Sequence, residues 1–371
     1  MAEARGSVAA RAYWERVDWN SEIQGVLGVG VSNESLDIWL GQGPVDIREL
    51  NVGIRIGDTN HLKIGRQVIS WGVADFLVVN DVFPKDYRSV LMGRGEQFLN
   101  APTDALRISV PRGVVNIDFV YTPAMVPDRY VDGRRLSYWN PVLGSMAGSD
   151  SQMPVAFPRS FPETDEWAAR VYGFWGSREW SLYFTDGLTH SPSSVRIADR
   201  AFSFVRQRTF GASARGALGD AVLFAEGAFF DRTQLSGTIP LLGDELRVLA
   251  GVTYPLPGSI DATIQGYWEN HDNGLQQAED PPRLGSQEQK SRTLITGRFA
   301  RSFFQDDLWL NFLAVYSPSD RDYLVFPNVS YRVSNFKMEG GLSVMGGPMP
   351  ETPFGQFELA DNAHMSVSWY Y

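Results

Sequence analysis

The chain has 371 residues, of which 43% are hydrophobic and 13% aromatic, with 36 glycines, 21 prolines, no cysteine and a formal net charge of -10. That charge excludes a nucleic-acid partner, which needs a basic surface. The missing cysteines exclude disulfides and thiolate metal sites and suit an oxidising periplasmic route.

No apolar run reaches the ~18–20 residues of a membrane-spanning helix, which leaves spanning strands open because alternating strands score weakly on hydropathy. So aromatic a chain with a mean hydropathy of -0.20 suits a wall that is apolar on one side and polar on the other. No Pro/Ser-rich linker divides it, so residues 1–371 read as a single domain. The opening Met-Ala-Glu-Ala-Arg-Gly carries no signal-peptide pattern, so an exported protein would begin here as a mature chain with an added initiator Met.

Alternation of apolar and polar residues predicts strands along the whole chain. Gly6 to Arg16, Glu22 to Val31 and Ser35 to Leu40 come first. From Ile47 the pattern sharpens: Leu50, Val52, Ile54 and Ile56 share one face, and Glu49, Asn51 and Arg55 the other. A turn at Gly57-Asp58-Thr59-Asn60 leads into Leu62 to Trp71. Further hairpins turn at Pro111-Arg112-Gly113, Gly176-Ser177-Arg178, Gly219-Asp220, Pro255 to Ser259, Gln305-Asp306 and Ser334-Asn335. The intervening connections are long, near 72–103, 123–165, 188–203, 232–244, 270–291 and 346–362.

Short turns at one end and long loops at the other are the asymmetry of an outer-membrane barrel. A soluble sandwich or propeller is the competing all-β arrangement, but no four-strand blade motif repeats. Trp39, Tyr121, Trp167, Trp175, Trp268, Tyr316 and Tyr331 lie on the apolar face, several near strand ends, as girdle aromatics do. The last strand alternates Met365, Val367, Trp369 and Tyr371 with His364, Ser366 and Ser368. An apolar alternation ending on an aromatic resembles the C-terminal signal read by the barrel assembly machinery, so Trp369 and Tyr371 are assigned to it.

Fifteen strands follow Ile47, and a closed barrel with both ends in the periplasm needs an even number. The expected fold is therefore an all-β transmembrane antiparallel barrel of eighteen strands, with sixteen as the alternative. Its interior is too wide for side chains alone to fill. The inward face carries Glu49, Arg55, Lys63, Arg107, Asp118, Arg170, Arg215, Glu226, Arg247, Asp261, Glu269, Arg298, Arg332, Lys337 and Glu339. Bases outnumber acids there, which predicts either a mildly anion-preferring lumen or a wet wall of compensating charges.

The stretch from His61 to Arg88 breaks the series. After the strand Lys63 to Gly72 the chain turns into a compact charged piece, Asp81-Val82-Phe83-Pro84-Lys85-Asp86-Tyr87-Arg88. Strict alternation would put Arg66 toward lipid, so a bulge or twist near Gly65 that turns it inward is expected. Residues 73–103 are expected to fold into the lumen as a constriction carrying Arg66, Gln67, Trp71, Asp75, Asp81, Asp86 and Arg88, its acids paired with lumen arginines.

GRQVISWG followed by DVFPKDYR resembles a family of Gram-negative outer-membrane proteins catalogued under a domain of unknown function. The family pattern is roughly LRE…LRIGRQ…WG.AD…D..NPRDLRE. Ile47 to Leu50, Arg66, Gln67, Trp71, Gly72, Ala74, Asp75, Asp81, Pro84, Asp86 and Arg88 match it, and Phe83, Lys85 and Tyr87 depart from it. The resemblance covers about forty residues. It implies a porin or uptake channel, in a family associated with hydrophobic compounds.

Four scattered histidines (His61, His190, His271 and His364) show no metal-ligand spacing, and no GxSxG elbow or phosphate-binding loop is present. No metal or cofactor is expected. His271 beside Asp272 is the nearest approach to an acid–base pair, and an enzyme is not the expectation. The reading is a Gram-negative outer-membrane porin or channel for passive diffusion or uptake of small solutes. A sleeve around a partner protein such as a cytochrome is the alternative, although no CxxCH motif is present. The expected partners are outer-membrane lipid and lipopolysaccharide, the assembly machinery and a small-molecule solute. A homo-oligomer stays open, since general porins are often trimers and no wall segment nominates an interface.

Overall fold

The computed structural model describes residues 3–28, 36–38, 40–74, 76–95, 98–140, 143–152, 154–157, 164–233, 237–271 and 291–369. Its main element is a 17-stranded sheet. In chain order its strands begin with β1 (Glu3–Trp14), β2 (Val17–Gly28), β3 (Val45–Ile56), β4 (Asn60–Val68), β5 (Pro102–Arg112) and β6 (Val115–Thr122). Next come β7 (Glu166–Trp175), β8 (Arg178–Leu188), β9 (Arg206–Leu218), β10 (Ala221–Thr233), β11 (Glu245–Leu256) and β12 (Ile260–His271). The last are β13 (Ser291–Phe303), β14 (Leu308–Tyr316), β15 (Tyr323–Val333), β16 (Phe336–Gly346) and β17 (Asn362–Trp369). Each strand pairs antiparallel with the next in the chain.

The strands expected from Ile47 onward are all present. Among the described residues two precede them, where three were preferred, because residues 36–38 and 40 do not extend. Asp37 Oδ1 accepts the Leu40 amide at 3.2 Å, and a bridge from Asp37 to Gln42 closes the turn. An aspartate that bonds its own downstream backbone competes with a ladder, and here it wins. The described sheet therefore has one strand fewer than the preferred eighteen.

The sheet is curled. The Ala74 amide donates to Glu226 on β10 at 2.7 Å, while the Phe76 ring packs on Phe326 of β15, with centroids 6.1 Å apart. In a flat sheet those two strands would stand ~24 Å apart at ~4.8 Å per strand, whereas residues 74 and 76 are separated by at most ~7 Å. Only a wall bent around residues 69–101 brings β8, β10, β11, β15 and β17 to one short segment.

Exposure alternates along the wall and is inverted relative to a soluble protein. Phe210, Leu246, Val248, Ile264, Ile295 and Phe312 are among the exposed outward residues. Thr209, Thr263, Gln265 and Thr296, their inward neighbours, are buried. Exposed aromatics gather at both ends of the strands. Trp175, Tyr254, Trp309, Tyr331 and Trp369 lie toward the short turns, and Trp167, Trp268, Tyr316 and Tyr323 toward the long connections. Trp39 and Tyr371 lie outside the described residues.

The inward face is not uniformly polar. Near the long connections Leu249, Tyr267, Leu294, Val315, Leu324 and Met345 form one buried apolar cluster with Leu77, Val79 and Leu91 of the segment between β4 and β5. Toward the short turns the inward positions are Thr253, Thr263, Gln265, Arg298, Asn311 and Asn328. The long connections carry small sheets of their own: Tyr138–Asn140 pairs with Ser145–Ala147, and Ser194–Arg196 sits between Phe202–Ser203 and Thr238–Pro240.

The outward band makes a direct prediction. Ile264→Arg, near the middle of β12, should destabilise the folded protein by about 2–4 kcal/mol in urea titrations from lipid vesicles, the cost of a cation at the bilayer midplane. A change under ~0.5 kcal/mol would show that this face does not meet lipid.

Candidate functional site

Residues 69–101 leave β4, cross the interior and return to β5. Ile69, Trp71 and Phe83 pack with Ala105, Val120, Ala168 and Tyr183 of the wall. Trp71 meets Phe83 edge-on at 4.8 Å and lies 5.5 Å beneath the Arg170 guanidinium. Pro84 then precedes a single helical turn, α1 (Tyr87–Leu91), whose N-cap is Asp86: its carboxylate accepts the Ser89 amide at 2.8 Å.

Of the expected bulge or twist, the twist lies at Gly65, while a bulge lies one strand away. The ladders of β4 with β3 and β5 run without a shift through Gly65 and Arg66, although Gly65 adopts φ 118°. The register instead shifts between Glu22 and Ile23 of β2, so that Arg48 is the extra residue in β3. Arg66 stays opposite Leu50 and Asp104 and is buried by hydrogen bonding. Its Nε donates to the Ile47 carbonyl at 2.6 Å, Nη2 to the Ile38 carbonyl at 2.5 Å, and Nη1 to Asp104 at 3.2 Å. Gln67 is buried beside it and donates to the Ala105 carbonyl at 3.0 Å.

The acids of the segment find partners that alternation did not supply. Asp81 pairs with Lys85 at 2.8 Å, and Asp75 lies outside the described residues. Asp86 meets Arg129, which comes from the connection after β6 and not from a wall strand. Arg129 reaches Asp46 of β3 through two bonds, at 2.7 and 2.8 Å, and Asp86 at 3.2 Å. All three groups are almost fully buried.

Around this bridge Arg129 N donates to the Lys85 carbonyl, Arg88 N to the Arg129 carbonyl, and Lys85 N to Asp128. Arg88 itself donates to the Leu40 carbonyl at 2.9 Å, and Arg94 ties Ser89 to Gln24 of β2. Burial alone would raise the Asp86 carboxyl. The charges of Arg129, Arg88 and Arg94 and the Ser89 hydrogen bond outweigh that and hold it at about 2. Asp46 and Arg129 were not singled out from sequence. The one available signal was the density of Arg and Asp in Pro127-Asp128-Arg129-Tyr130.

Four of the nine inward bases face acids, Lys337 at 3.1 Å from Glu339 among them. Arg107 and Arg170 share Asp118, at 3.0 and 2.8 Å, and Arg247 pairs with Glu245. Lys63 stands across the ladder from Arg107, and Arg298 donates to Asn311 at 3.1 Å. Arg55, Arg215 and Arg332 are exposed near the short turns. Pairing of this kind is the compensating-charge arrangement.

Between the segment, the long connections and the wall lies a cavity of about 860 Å³. Phe76, Tyr87, Leu91, Tyr267, Phe354 and Phe357 give its character, and the remaining lining mixes aliphatic, aromatic and charged side chains. The cations at its edge are already engaged: Arg129 as above, Arg88 with backbone carbonyls, Arg134 with Gln42 at 2.5 Å, and Arg292 with Asp320 at 2.7 Å.

No family model matches the chain, and no curated protein matches it in sequence. Solved structures do resemble it in fold. A BenF-like porin from Pseudomonas fluorescens Pf-5 is 12% identical with a TM-score of 0.54, over 98% of this chain and 89% of that one. OccAB4 of Acinetobacter baumannii is 9% identical with a TM-score of 0.51, over 98% and 88%. Wzi of Escherichia coli, an outer-membrane protein involved in group 1 capsule assembly and titled a carbohydrate-binding β-barrel, is 11% identical with a TM-score of 0.50, over 98% and 76%. The chain has the fold of an outer-membrane β-barrel. Its place is the bacterial outer membrane, with the apolar band against lipid. The resemblance of about forty residues, from Ile47 to Arg88, rests on those residues alone.

Removing one member of a buried ion pair strands the others and costs about 3–5 kcal/mol. Arg129→Met should therefore loosen the segment, read as faster trypsin cleavage after Arg88 and Arg94 in the folded protein. The pH dependence has a definite sign. A carboxyl held at about 2, against ~3.9 in an unfolded chain, contributes stability above ~4 that is lost as pH falls toward 2. Cleavage by an acid-active protease should stay slow at pH 5 and rise between pH 4 and 2. Equal rates at pH 5 and pH 2 would show that Asp86 does not hold the segment.

Proposed function

We propose that the protein is an outer-membrane channel for passive diffusion or uptake of small solutes, and that residues 73–103 narrow it. The observation that carries this reading is the cavity of about 860 Å³ enclosed between the inward segment and the wall. Its size suits one drug-sized molecule and is far too small for a folded protein partner, which favours a channel over a sleeve. Because the charges at its edge already have protein partners, the lining offers a solute mainly apolar and aromatic contact. The favoured solutes are therefore uncharged or weakly polar compounds that fit beside Phe76, Tyr267 and Phe354. Arg66, Gln67, Asp81, Asp86 and Arg88 act in this reading by holding the narrowing segment in place through bonds to backbone and to neighbouring side chains, and Trp71 by packing on Phe83 and Tyr183.

Liposome swelling with sugars of graded size tests the channel. Deleting residues 73–103 and bridging β4 to β5 with a short turn should raise the exclusion limit and the swelling rate. An unchanged limit in a variant that still assembles would overturn the assignment of these residues as the narrowing element. Saturable binding of the uncharged fluorophore N-phenyl-1-naphthylamine, weakened by Phe76→Ser, would support the apolar lining as the contact surface.

A further inference from the structure

The apolar cluster and the Arg129 bridge hold the later part of the inward segment, from Leu77 to Leu91. Its first part, where the chain has just left β4, packs against the same cluster through Val73, Ala74 and Phe76 and has in addition a polar attachment. Glu226 projects inward from the middle of β10 and is almost fully buried. Its Oε1 accepts the backbone amides of Val73 and of Ala74, the latter at 2.7 Å. Its Oε2 accepts the backbone amide of Asn80 at 3.2 Å and the Asn80 side-chain amide at 2.9 Å. The Asn80 amide also donates to the Ala212 carbonyl of β9 at 3.1 Å. Gly72, at φ 98°, lets the chain come this near: a Cβ there would lie 3.0 Å from Oε1.

One wall carboxylate thus gathers both ends of residues 73–80. Backbone donors in a tight loop form an anion-binding concavity, and here the anion is a side chain of the wall itself. Arg247 of β11 reaches the Val78 carbonyl only at 3.5 Å and is committed to Glu245, so it does not duplicate the attachment.

We propose that Glu226 is the positioning residue of the inward segment: by collecting the amides of Val73, Ala74 and Asn80 it sets how far residues 73–80 reach across the barrel, and so the width of the passage. This rests on the reading of residues 73–103 as the narrowing element. The connection it makes spans about 150 positions of sequence, from Val73 to Glu226, and is made through its two carboxyl oxygens as acceptors. Glu226→Gln keeps the shape of the side chain but replaces one acceptor with an NH2 group, which points at backbone N–H groups that need an acceptor.

The chain has no cysteine, so spin labels at Val78→Cys and Gln356→Cys report the distance across the cavity without further changes. In the otherwise native protein the distribution should be narrow. E226Q should broaden it and raise single-channel conductance roughly two-fold, as expected where a constriction limits flow. Glu226→Ala should broaden it further, and formate at about 0.1 M, but not chloride at equal ionic strength, should narrow it again by filling the vacated concavity. An unchanged distance distribution in E226Q overturns the proposal, as does broadening in Glu226→Ala that formate leaves unaltered, because packing and not charge would then hold the segment. Broadening that formate reverses, with conductance unaltered throughout, sustains the positioning role and overturns the reading of this segment as the narrowing element. E226Q is close to isosteric, so the test stands even if Glu226→Ala fails to assemble.

Discussion

A guanidinium buried between two carboxylates is costly to desolvate and tolerable only when every partner is in place. Arg129 occupies such a position, and the organisation of the interior follows from it. Asp46 belongs to the wall, Asp86 caps the one helical turn of the inward segment, and Arg129 comes from the connection after β6. Three stretches distant in sequence therefore have one mutually compatible arrangement. The backbone bonds around the bridge, from Arg129 to Lys85 and from Arg88 to Arg129, let the second connection dock on the first much as a strand would. The segment is then not a loose loop resting in a pore but a second layer tied to the first.

The bridge acts together with the apolar cluster near the long connections, and the two differ in what they specify. Leu249, Tyr267, Leu294 and Leu324 supply non-directional burial, on the order of 1.5–3 kcal/mol for each large side chain. That favours filling the upper interior without fixing which residue lies where. Hydrogen-bonded charges supply the registration, with the bridge near one end of the segment and Glu226 near the other. Both ends of the span between them are fixed to different parts of the wall.

The wall was legible in the sequence because its rule is local. Side chains alternate across a strand, lipid demands an apolar outer face, and turns between short hairpins concentrate Gly, Asp, Asn and Ser. Ile54 with Leu62 and Phe336 with Trp369 pair as such a reading implies. The N-terminal count failed where an Asx turn at Asp37 took over backbone that alternation would have made a strand. The twist at Gly65 was legible, but the bulge was not, because its cause lay on a neighbouring strand: the extra residue is Arg48, and the pairing that reveals it, Glu22 with Glu49 and Ile23 with Ile47, is non-local. Glu226 was on the inward list from alternation, but its role was not, since nothing in the sequence ties it to Val73 and Asn80. The apolar upper interior did leave a trace. At Leu310-Asn311-Phe312-Leu313-Ala314-Val315-Tyr316 and Tyr323-Leu324-Val325-Phe326 the alternation lapses into nearly continuous apolar runs, the mark of strands covered on both faces.

That lapse divides the interior along its axis. Toward the short turns the inward residues are polar, Thr, Gln, Arg and Asn; toward the long connections they are Leu, Tyr, Val and Met packed under the segment. An ion moving along this axis must leave its hydration shell at the apolar stretch, where a narrow passage favours vapour over liquid. A neutral solute with an apolar surface meets no such penalty. A barrel of this circumference would then be a poor electrical conductor for its width, because the water column inside it is interrupted. In the proposed channel the width of the passage and its resistance to charge would then be set in one storey of the wall, where the segment meets the apolar cluster.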